Sequence, residues 1–157
     1  EEKFSRRIAR EIVRERSNNQ IRTTSKLASL INDVVPQTKN KKHKATKTFQ
    51  AIRIYTNNEL DILKKTLFKS YKILAPKGRL VLITYHSLED KVIKDFIRHT
   101  DKKYSTPKDL PIKEEFLTKM FKVVDKFIKP NIEEVEFNPR SRSAKLSILE
   151  KVNENND

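Results

Sequence analysis

Two adjacent polar residues, His86 and Ser87, are the strongest candidates for chemistry in the sequence. They follow an uncharged run of apolar and β-branched residues, Leu80–Tyr85, and precede apolar residues at helical spacing from Leu88 onward. A histidine can accept a proton near neutral pH, and a serine hydroxyl both donates and accepts hydrogen bonds. The alternative is structural: His86 would order the turn, and Ser87 would cap the helix.

A strand, a sharp turn and a helix are predicted to position this pair. The run Leu80–Tyr85 is too short for a helix and too continuous for a half-exposed strand, so we predict a strand buried on both faces, usually a parallel one. Ser87 and Asp90 approximate a capping box at the start of the following helix. The polar pair would then lie beyond the carboxyl end of a strand, where open α/β sheets bind ligands.

The remaining sequence predicts helices first and strands last. The predicted elements are a helix from Phe4, a helix capped by Thr23, Thr24 or Ser25 and ended by Pro36, a helix from Thr46, a helix from Asn57 or Asn58 to Pro76, a helix over Leu88–His99, a short helix over Ile112–Met120, a strand over Phe121–Ile128, a helical turn over Ile132–Phe137 and a strand over Ser143–Val152. In the last strand, we expect Ala144, Leu146 and Ile148 to point inward. The two late strands could pair as an antiparallel end. Only one strand of the parallel type is evident, and the single glycine leaves no Gly-rich cofactor loop. The pattern therefore fits the second half of a doubly wound sheet.

The composition is strongly basic and constrains the partners. The 157 residues carry 35 Lys and Arg against 21 Asp and Glu, a formal net charge of +14. Such a charge predicts attraction to nucleic acid, although AT-biased coding can raise the lysine content without such a partner. The lack of cysteine excludes disulfides and thiol catalysis. No apolar run approaches a membrane span, so we expect a cytoplasmic protein with no membrane partner.

Two basic loops are candidates for contacts with RNA phosphates. The segment Gln37–Lys47 contains five lysines: Lys39, Lys41, Lys42, Lys44 and Lys47. A second loop carries Arg140 and Arg142 before the last strand. The alternative for both is a solvated loop without a partner.

Three long segments resemble the RsmH (MraW) family of methyltransferases. Residues 43–60, HKATKTFQAIRIYTNNEL, are similar to the family's HPATRTFQALRIYVNDEL. Residues 74–90, LAPKGRLVLITYHSLED, are similar to LAPGGRLAVISFHSLED, and residues 138–146, NPRSRSAKL, to NPRARSAKLR. Residues 2–14 also resemble ERFARRIARAIV. The departures from the pattern include Lys44 for proline, Lys47 for arginine, Lys77 for glycine and Tyr85 for phenylalanine.

Members of that family use S-adenosylmethionine to methylate the exocyclic N4 of a cytidine in the decoding region of 16S rRNA. The resemblance implies an α/β fold: the carboxyl half of a Rossmann-like class I methyltransferase domain, plus the end of an inserted helical domain. Residues 1–56 would be the end of the insertion, which binds the RNA substrate, residues 57–152 the carboxyl half of the catalytic domain, and residues 153–157 a disordered tail. The cofactor site would lie mostly in an amino half without counterpart here. The expected partner is 16S rRNA in the small ribosomal subunit, and a homodimer is left open.

The resemblance also implies roles for single residues. His86 and Ser87 become the candidate catalytic pair, which would accept a proton from the flipped base or hydrogen-bond it. The candidate RNA-binding residues are Gln50, Arg53, Lys41, Lys42, Lys47, Arg140 and Arg142. For Arg53 the alternative is a structural ion pair, and no metal site is expected. The chain would be the carboxyl part of an active enzyme or, alternatively, a catalytically inactive remnant or RNA-binding module.

Overall fold

The computed structural model describes residues 2–36, 43–100 and 120–152. The chain divides into two compact units, Glu1–Glu59 and Leu60–Asp157. The predicted boundary after residue 56 lies close to this division, and the identity of the two domains stays a prediction. The predicted tail and the predicted helix before Met120 lie outside the described residues. Among the described helices, none has the length and apolar character needed to cross a membrane.

The described part of the first unit consists of three helices, as the apolar spacing predicts. They are α1 (Ser5–Asn18), α2 (Thr24–Val34) and α3 (Thr46–Thr56). The helices pack through a shared apolar cluster of Ile8, Ile31, Val34, Val35 and Ala45, with Phe4, Ile12, Leu27, Ala28 and Phe49 against it. The Thr23 hydroxyl accepts the Lys26 backbone N–H at 3.2 Å and thereby caps α2. The basic residues of α1 are left on the outside.

The second unit combines helices with a three-stranded sheet. Its described elements are α4 (Glu59–Ile73), β1 (Arg79–Thr84), α5 (Ser87–Thr100), β2 (Phe121–Ile128), α6 (Ile132–Phe137), a 3-10 helix (Pro139–Ser143) and β3 (Lys145–Lys151). The strand order is β1-β3-β2, and both pairings are antiparallel, so the last strand lies in the middle. The predicted pairing of the two late strands is confirmed. The strand β1 was predicted to be of the parallel type, but within the described residues it pairs only with antiparallel β3.

The strand β1 is buried on one face only, so the prediction that both faces are buried is wrong for the described residues. Leu80 and Leu82 pack against the apolar core of the unit. On the other face Val81, Ile83 and the following Tyr85 are 54%, 56% and 56% exposed. The helix α5 contacts the sheet on the Leu80 face, and in the described part of the unit nothing comparable covers the opposite face.

The alternation predicted for the last strand is out of phase by one residue. Ser147 and Leu149 are the fully buried residues of β3, whereas Leu146 and Ile148 lie on the other face and are half-buried. The buried hydroxyl of Ser147 is satisfied because it accepts the backbone N–H of Phe127 at 3.1 Å. Phe127 lies in an irregular part of β2 and has a φ of 57°. A polar residue in this strand therefore marks a contact with a β-bulge, not the solvent face.

Aromatic rings hold α5 and α4 under the sheet. The rings of Tyr71 and Phe96 each lie 5.6 Å from the ring of Phe121, and Phe68 lies 5.1 Å from Phe96. Such edge contacts add to the burial of large apolar surfaces. Phe96 thus anchors α5 to both α4 and β2.

The turn between α4 and β1 contains a lysine in a conformation that favours glycine. Lys77 has a φ of 62°, and its N–H donates to the Lys151 carbonyl at 3.1 Å. Gly78 follows, and a Cβ there would lie 2.7 Å from the Ala75 carbonyl oxygen. The chain's single glycine therefore closes this turn.

Candidate active site

The turn between β1 and α5 is ordered by a reciprocal capping arrangement of His86 and Glu89. The Glu89 carboxylate accepts the backbone N–H groups of Tyr85 at 2.8 Å and His86 at 3.3 Å. In return, Nδ1 of His86 accepts the backbone N–H of Glu89 at 3.3 Å. This arrangement is a capping box in which a ring nitrogen takes the place of the usual hydroxyl.

The predicted capping box of Ser87 and Asp90 is therefore wrong by one residue. The helix starts at Ser87, which makes His86 the N-cap residue and Glu89 the residue three positions later. The strand ends at Thr84, so the turn needs its cap earlier than the Ser87 spacing implies. Ser87 is exposed on the first helical turn.

Asp90 has a different role, because it joins the turn to the neighbouring strand. It is 5% exposed, and its carboxylate accepts the Thr84 hydroxyl at 2.6 Å and the ammonium group of Lys145. Burial alone would raise the pKa of Asp90, but the hydrogen bonds from Lys145 and Thr84, together with the charges of Lys145 and Lys94, outweigh it and lower the pKa below its ordinary value. Asp90 is therefore held as a buried carboxylate.

The hydrogen bonds of His86 define how its ring is oriented. Since Nδ1 accepts a hydrogen bond, the neutral ring carries its proton on Nε2. Nε2 is buried and makes no hydrogen bond with the described residues, although it lies 3.4 Å from a Glu89 carboxylate oxygen. The side chain is only 12% exposed. His86 therefore contributes to the order of the turn through both its ring and its backbone N–H.

The predicted RNA-binding residues of the first unit that the structure describes all lie on α3. Lys47 is exposed on the first turn, and Gln50 is half-buried. Arg53 is exposed and donates two hydrogen bonds to the Glu59 carboxylate, at 2.8 and 3.1 Å. The structural ion pair considered as the alternative for Arg53 is thus present. Lys41 and Lys42 lie outside the described residues.

Arg140 and Arg142 are presented by the 3-10 helix of the second unit. Ser141 between them is 6% exposed, and its hydroxyl donates to the Asn138 carbonyl at 2.8 Å. The Arg140 backbone N–H donates to the Asn138 side chain at 3.2 Å. Both arginines are exposed and have no ion pair among the described residues. The buried serine therefore fixes two arginines that point to solvent.

Three residues that order this turn were not singled out from the sequence: Thr84, Glu89 and Lys145. Glu89 could have been found as the acidic residue three positions after His86. Lys145 gives no local signal, because it lies 55 residues from Asp90 and reaches it only through strand pairing.

Comparison with known proteins identifies the family. Residues 1–152 match the model of the MraW methylase family. Proteins named "Ribosomal RNA small subunit methyltransferase H" are 46% identical in Caldicellulosiruptor bescii, 46% in Shewanella violacea and 44% in Legionella pneumophila, each over 97% of this chain. The chain spans about half the length of these curated relatives, with 50%, 49% and 49% covered. The match extends through both units and includes the turn at His86, and the chain thus belongs to the MraW methylase family.

Proposed function

We propose that this chain provides the carboxyl-side part of an rRNA methyltransferase of the small ribosomal subunit, one that transfers the methyl group of S-adenosylmethionine to N4 of a cytidine in the 16S decoding region. The observation that carries the proposal is the continuous family match over residues 1–152. The names of the relatives support an rRNA substrate. The net charge of +14 suits a polyanionic partner.

The sheet supports the idea that this unit is the edge of a larger, Rossmann-like sheet. Within the described residues β1 pairs along one side only, with β3. Its exposed apolar residues, Val81 and Ile83, form the kind of face that helices cover in α/β proteins. We propose that further strands and helices of the longer enzyme pair with β1 and cover this face.

We propose that the cofactor site lies mostly outside this chain. Gly78 is the chain's only glycine, and it belongs to the turn before β1, where a Cβ would lie 2.7 Å from the Ala75 carbonyl oxygen. A cofactor loop needs backbone that a ligand can approach closely. We therefore place the cofactor site in the amino-side half that the longer relatives possess.

The turn at His86 is proposed to form part of the wall that receives the target base. A cytosine amine is a poor nucleophile because its lone pair is delocalised into the ring, so the transfer depends on holding the amine in line with the methyl group. His86 and Glu89 would fix the turn. Ser87, the exposed first residue of α5, would contact the base. Ser87 is thus the proposed catalytic contact, and His86 a positioning residue.

The arginines on the 3-10 helix are the best supported RNA contacts of the second unit. Arg140 and Arg142 are exposed on a turn that Ser141 anchors, so binding would cost little ordering of the backbone. Lys47, Lys41 and Lys42 are proposed to add contacts from the first unit. Arg53 would have to give up its Glu59 partner to bind RNA, and Gln50 is proposed as its neighbour on the same helix.

A second candidate function is an RNA-binding module without methyl transfer. The single glycine and its use in a turn favour this alternative for the chain acting by itself. The two candidates predict the same RNA affinity but differ in cofactor binding and in turnover.

A reconstitution experiment tests the proposed function. The chain would be mixed with the separately expressed amino-side half of the Caldicellulosiruptor bescii relative, and methyl transfer from labelled S-adenosylmethionine to unmethylated small ribosomal subunits would be followed. We expect N4-methylcytidine in the digested rRNA with both parts present, and no cofactor binding by the chain alone in calorimetry. A soluble mixed complex that binds cofactor and RNA but forms no methylcytidine would reject the proposal.

A further inference from the structure

The first unit contains a cleft of about 350 Å³ between α1 and the end of α2. Its lining residues are Arg7, Arg10, Glu11, Arg14, Asp33 and Val34. None of them belongs to the turn at His86, to α3 or to the 3-10 helix. The three arginines follow each other at helical spacing on α1, so they share one side of that helix.

Two of the three arginines have no anionic partner among the described residues. Arg14 is paired with Glu11 on the same helix. Arg7 and Arg10 are exposed, one turn apart, and make no ion pair in the part of the chain that the structure describes. Like charges at this spacing repel each other, and an anion between them relieves that repulsion. Guanidinium groups match the oxygens of a phosphate in pairs.

The backbone that carries these arginines is held in place. Ile8, between them in sequence, is 3% exposed and packs in the cluster that contains Ile31 of α2. Glu15 of α1 also pairs with Lys26 of α2 at 2.8 Å. A ligand would therefore need to order the two arginine side chains but not the helix.

The charge balance indicates the kind of anion. Three arginines and two carboxylates line the cleft, which leaves one net positive charge. A single phosphodiester group carries one negative charge, whereas a nucleoside triphosphate or an acidic peptide brings several. The cleft thus suits one phosphate of a nucleic-acid backbone.

We propose that Arg7 and Arg10 bind one backbone phosphate of the RNA substrate, as a contact separate from the basic loops. The identity of the polyanion as RNA rests on the proposed function. Asp33 sits in the same cleft, where its charge opposes a phosphate. The proposal therefore predicts changes of opposite sign for the arginines and for Asp33.

The test measures the affinity of the chain for a labelled decoding-region rRNA hairpin over a range of salt concentrations. We expect the Arg7→Ala/Arg10→Ala variant to bind about tenfold more weakly. Its plot of log affinity against log salt should be flatter by about one unit, as for one lost phosphate contact. Asp33→Asn should bind about two- to threefold more tightly, since a repulsive charge is removed.

Arg6→Ala/Arg16→Ala is the matched control, because both residues are exposed on α1 and lie outside the cleft. The two substitutions remove the same charge as the cleft variant. We expect this control to lose much less affinity than the cleft variant. Equal losses for both pairs would overturn the proposal in favour of a diffuse charge effect, and weaker binding by Asp33→Asn would overturn the phosphate assignment. RNA binding that is insensitive to Arg7 and Arg10 rejects this inference alone, whereas arginine-dependent binding without methyl transfer rejects only the proposed function. Capture of an acidic protein with no measurable RNA binding would overturn the inference as well.

Discussion

Lys145, at the start of the last strand, donates a hydrogen bond to the buried carboxylate of Asp90, 55 residues earlier in the first part of α5. Thr84, the last residue of β1, donates to the other oxygen of the same carboxylate at 2.6 Å. The contact joins β1, α5 and β3 at one point. It therefore fixes where the helix begins relative to the sheet, and with it the turn that carries His86.

Removing the ammonium group should destabilise the second unit. In Lys145→Ala the Asp90 carboxylate stays buried without its charged partner, and we expect a loss of about 2 kcal/mol in the free energy of unfolding. Lys122→Ala is the control, because this lysine is exposed on β2 and makes no ion pair with the described residues. Urea denaturation followed by circular dichroism gives the free energy of unfolding of each variant. Equal values for Lys145→Ala and Lys122→Ala would contradict the prediction.

The pH dependence of stability should follow the lowered pKa of Asp90. Since its folded pKa lies below the unfolded value, the stabilisation is fully present above the ordinary aspartate pKa of about 3.9 and is lost as the pH falls through the lower folded value. The wild-type chain should therefore exceed Asp90→Asn in stability at pH 7, and the gap should shrink below about pH 4. Denaturation curves of both proteins, collected from pH 7 down to below about pH 4, measure how their difference in stability changes. A difference that grows in acid would show that the Asp90 carboxylate does not stabilise the fold.

Replacing Lys77 by glycine should make the protein more stable. The φ of 62° costs a lysine about 1 kcal/mol that a glycine does not incur, so we expect a gain of roughly that size in Lys77→Gly. Lys77→Ala removes the same charged side chain but keeps a Cβ, and should give no such gain. The melting temperatures of the two variants separate backbone strain from charge, and identical shifts would count against strain.

His86 and Glu89 should act as a coupled pair in stability. Each single alanine variant loses one direction of the reciprocal cap, at a cost of about 1 kcal/mol. The double variant should cost less than the sum, because each side chain depends on the same turn. Ser87→Ala should lower single-turnover methylation in the reconstituted enzyme by more than any loss of folded protein explains. Additive losses in the double-mutant cycle would contradict the coupling of His86 and Glu89. Full turnover by Ser87→Ala would contradict the proposed contact of Ser87 with the base.

Arg140 and Arg142 should contribute to RNA affinity without sequence preference. In Arg140→Ala/Arg142→Ala we expect weaker binding to matched and mismatched hairpins alike, with the salt slope reduced by roughly one unit for each lost phosphate contact. Arg53→Ala provides a contrast, because that arginine already pairs with Glu59 and its loss should affect stability first. A change in preference between the two RNAs would show that the arginine pair reads bases.

Local patterns in the sequence predicted most of the elements but not how they are covered. The spacing of Phe121–Ile128 and Ile132–Phe137 gave a strand and a helical turn where the structure has them. The run from Leu80 could not reveal that Val81 and Ile83 are exposed, because burial depends on what packs on each face. Apolar content alone is the same for a covered and an uncovered strand.

The site was predicted in position but not in its hydrogen bonds. The location of His86 and Ser87 after a strand followed from the change of periodicity at that point. The cap was predicted one residue too late, because Ser87 and Asp90 match the usual capping residues better than His86 and Glu89 do. Asp90 is instead used by Lys145, a contact that depends on the order of the strands and has no local signature.

The central place of β3 in the sheet has a consequence for synthesis on the ribosome. Among the described strands, β1 and β2 pair only with β3, so neither can pair within this set until β3 has been translated. Lys145 follows Thr84 by 61 positions, which take roughly 3 to 12 s to add at typical elongation rates. During that time β1 and β2 have no partner among the described strands. A chain that ends before residue 145 keeps the hydrogen bond from Thr84 to Asp90 but lacks the second donor to that carboxylate, Lys145.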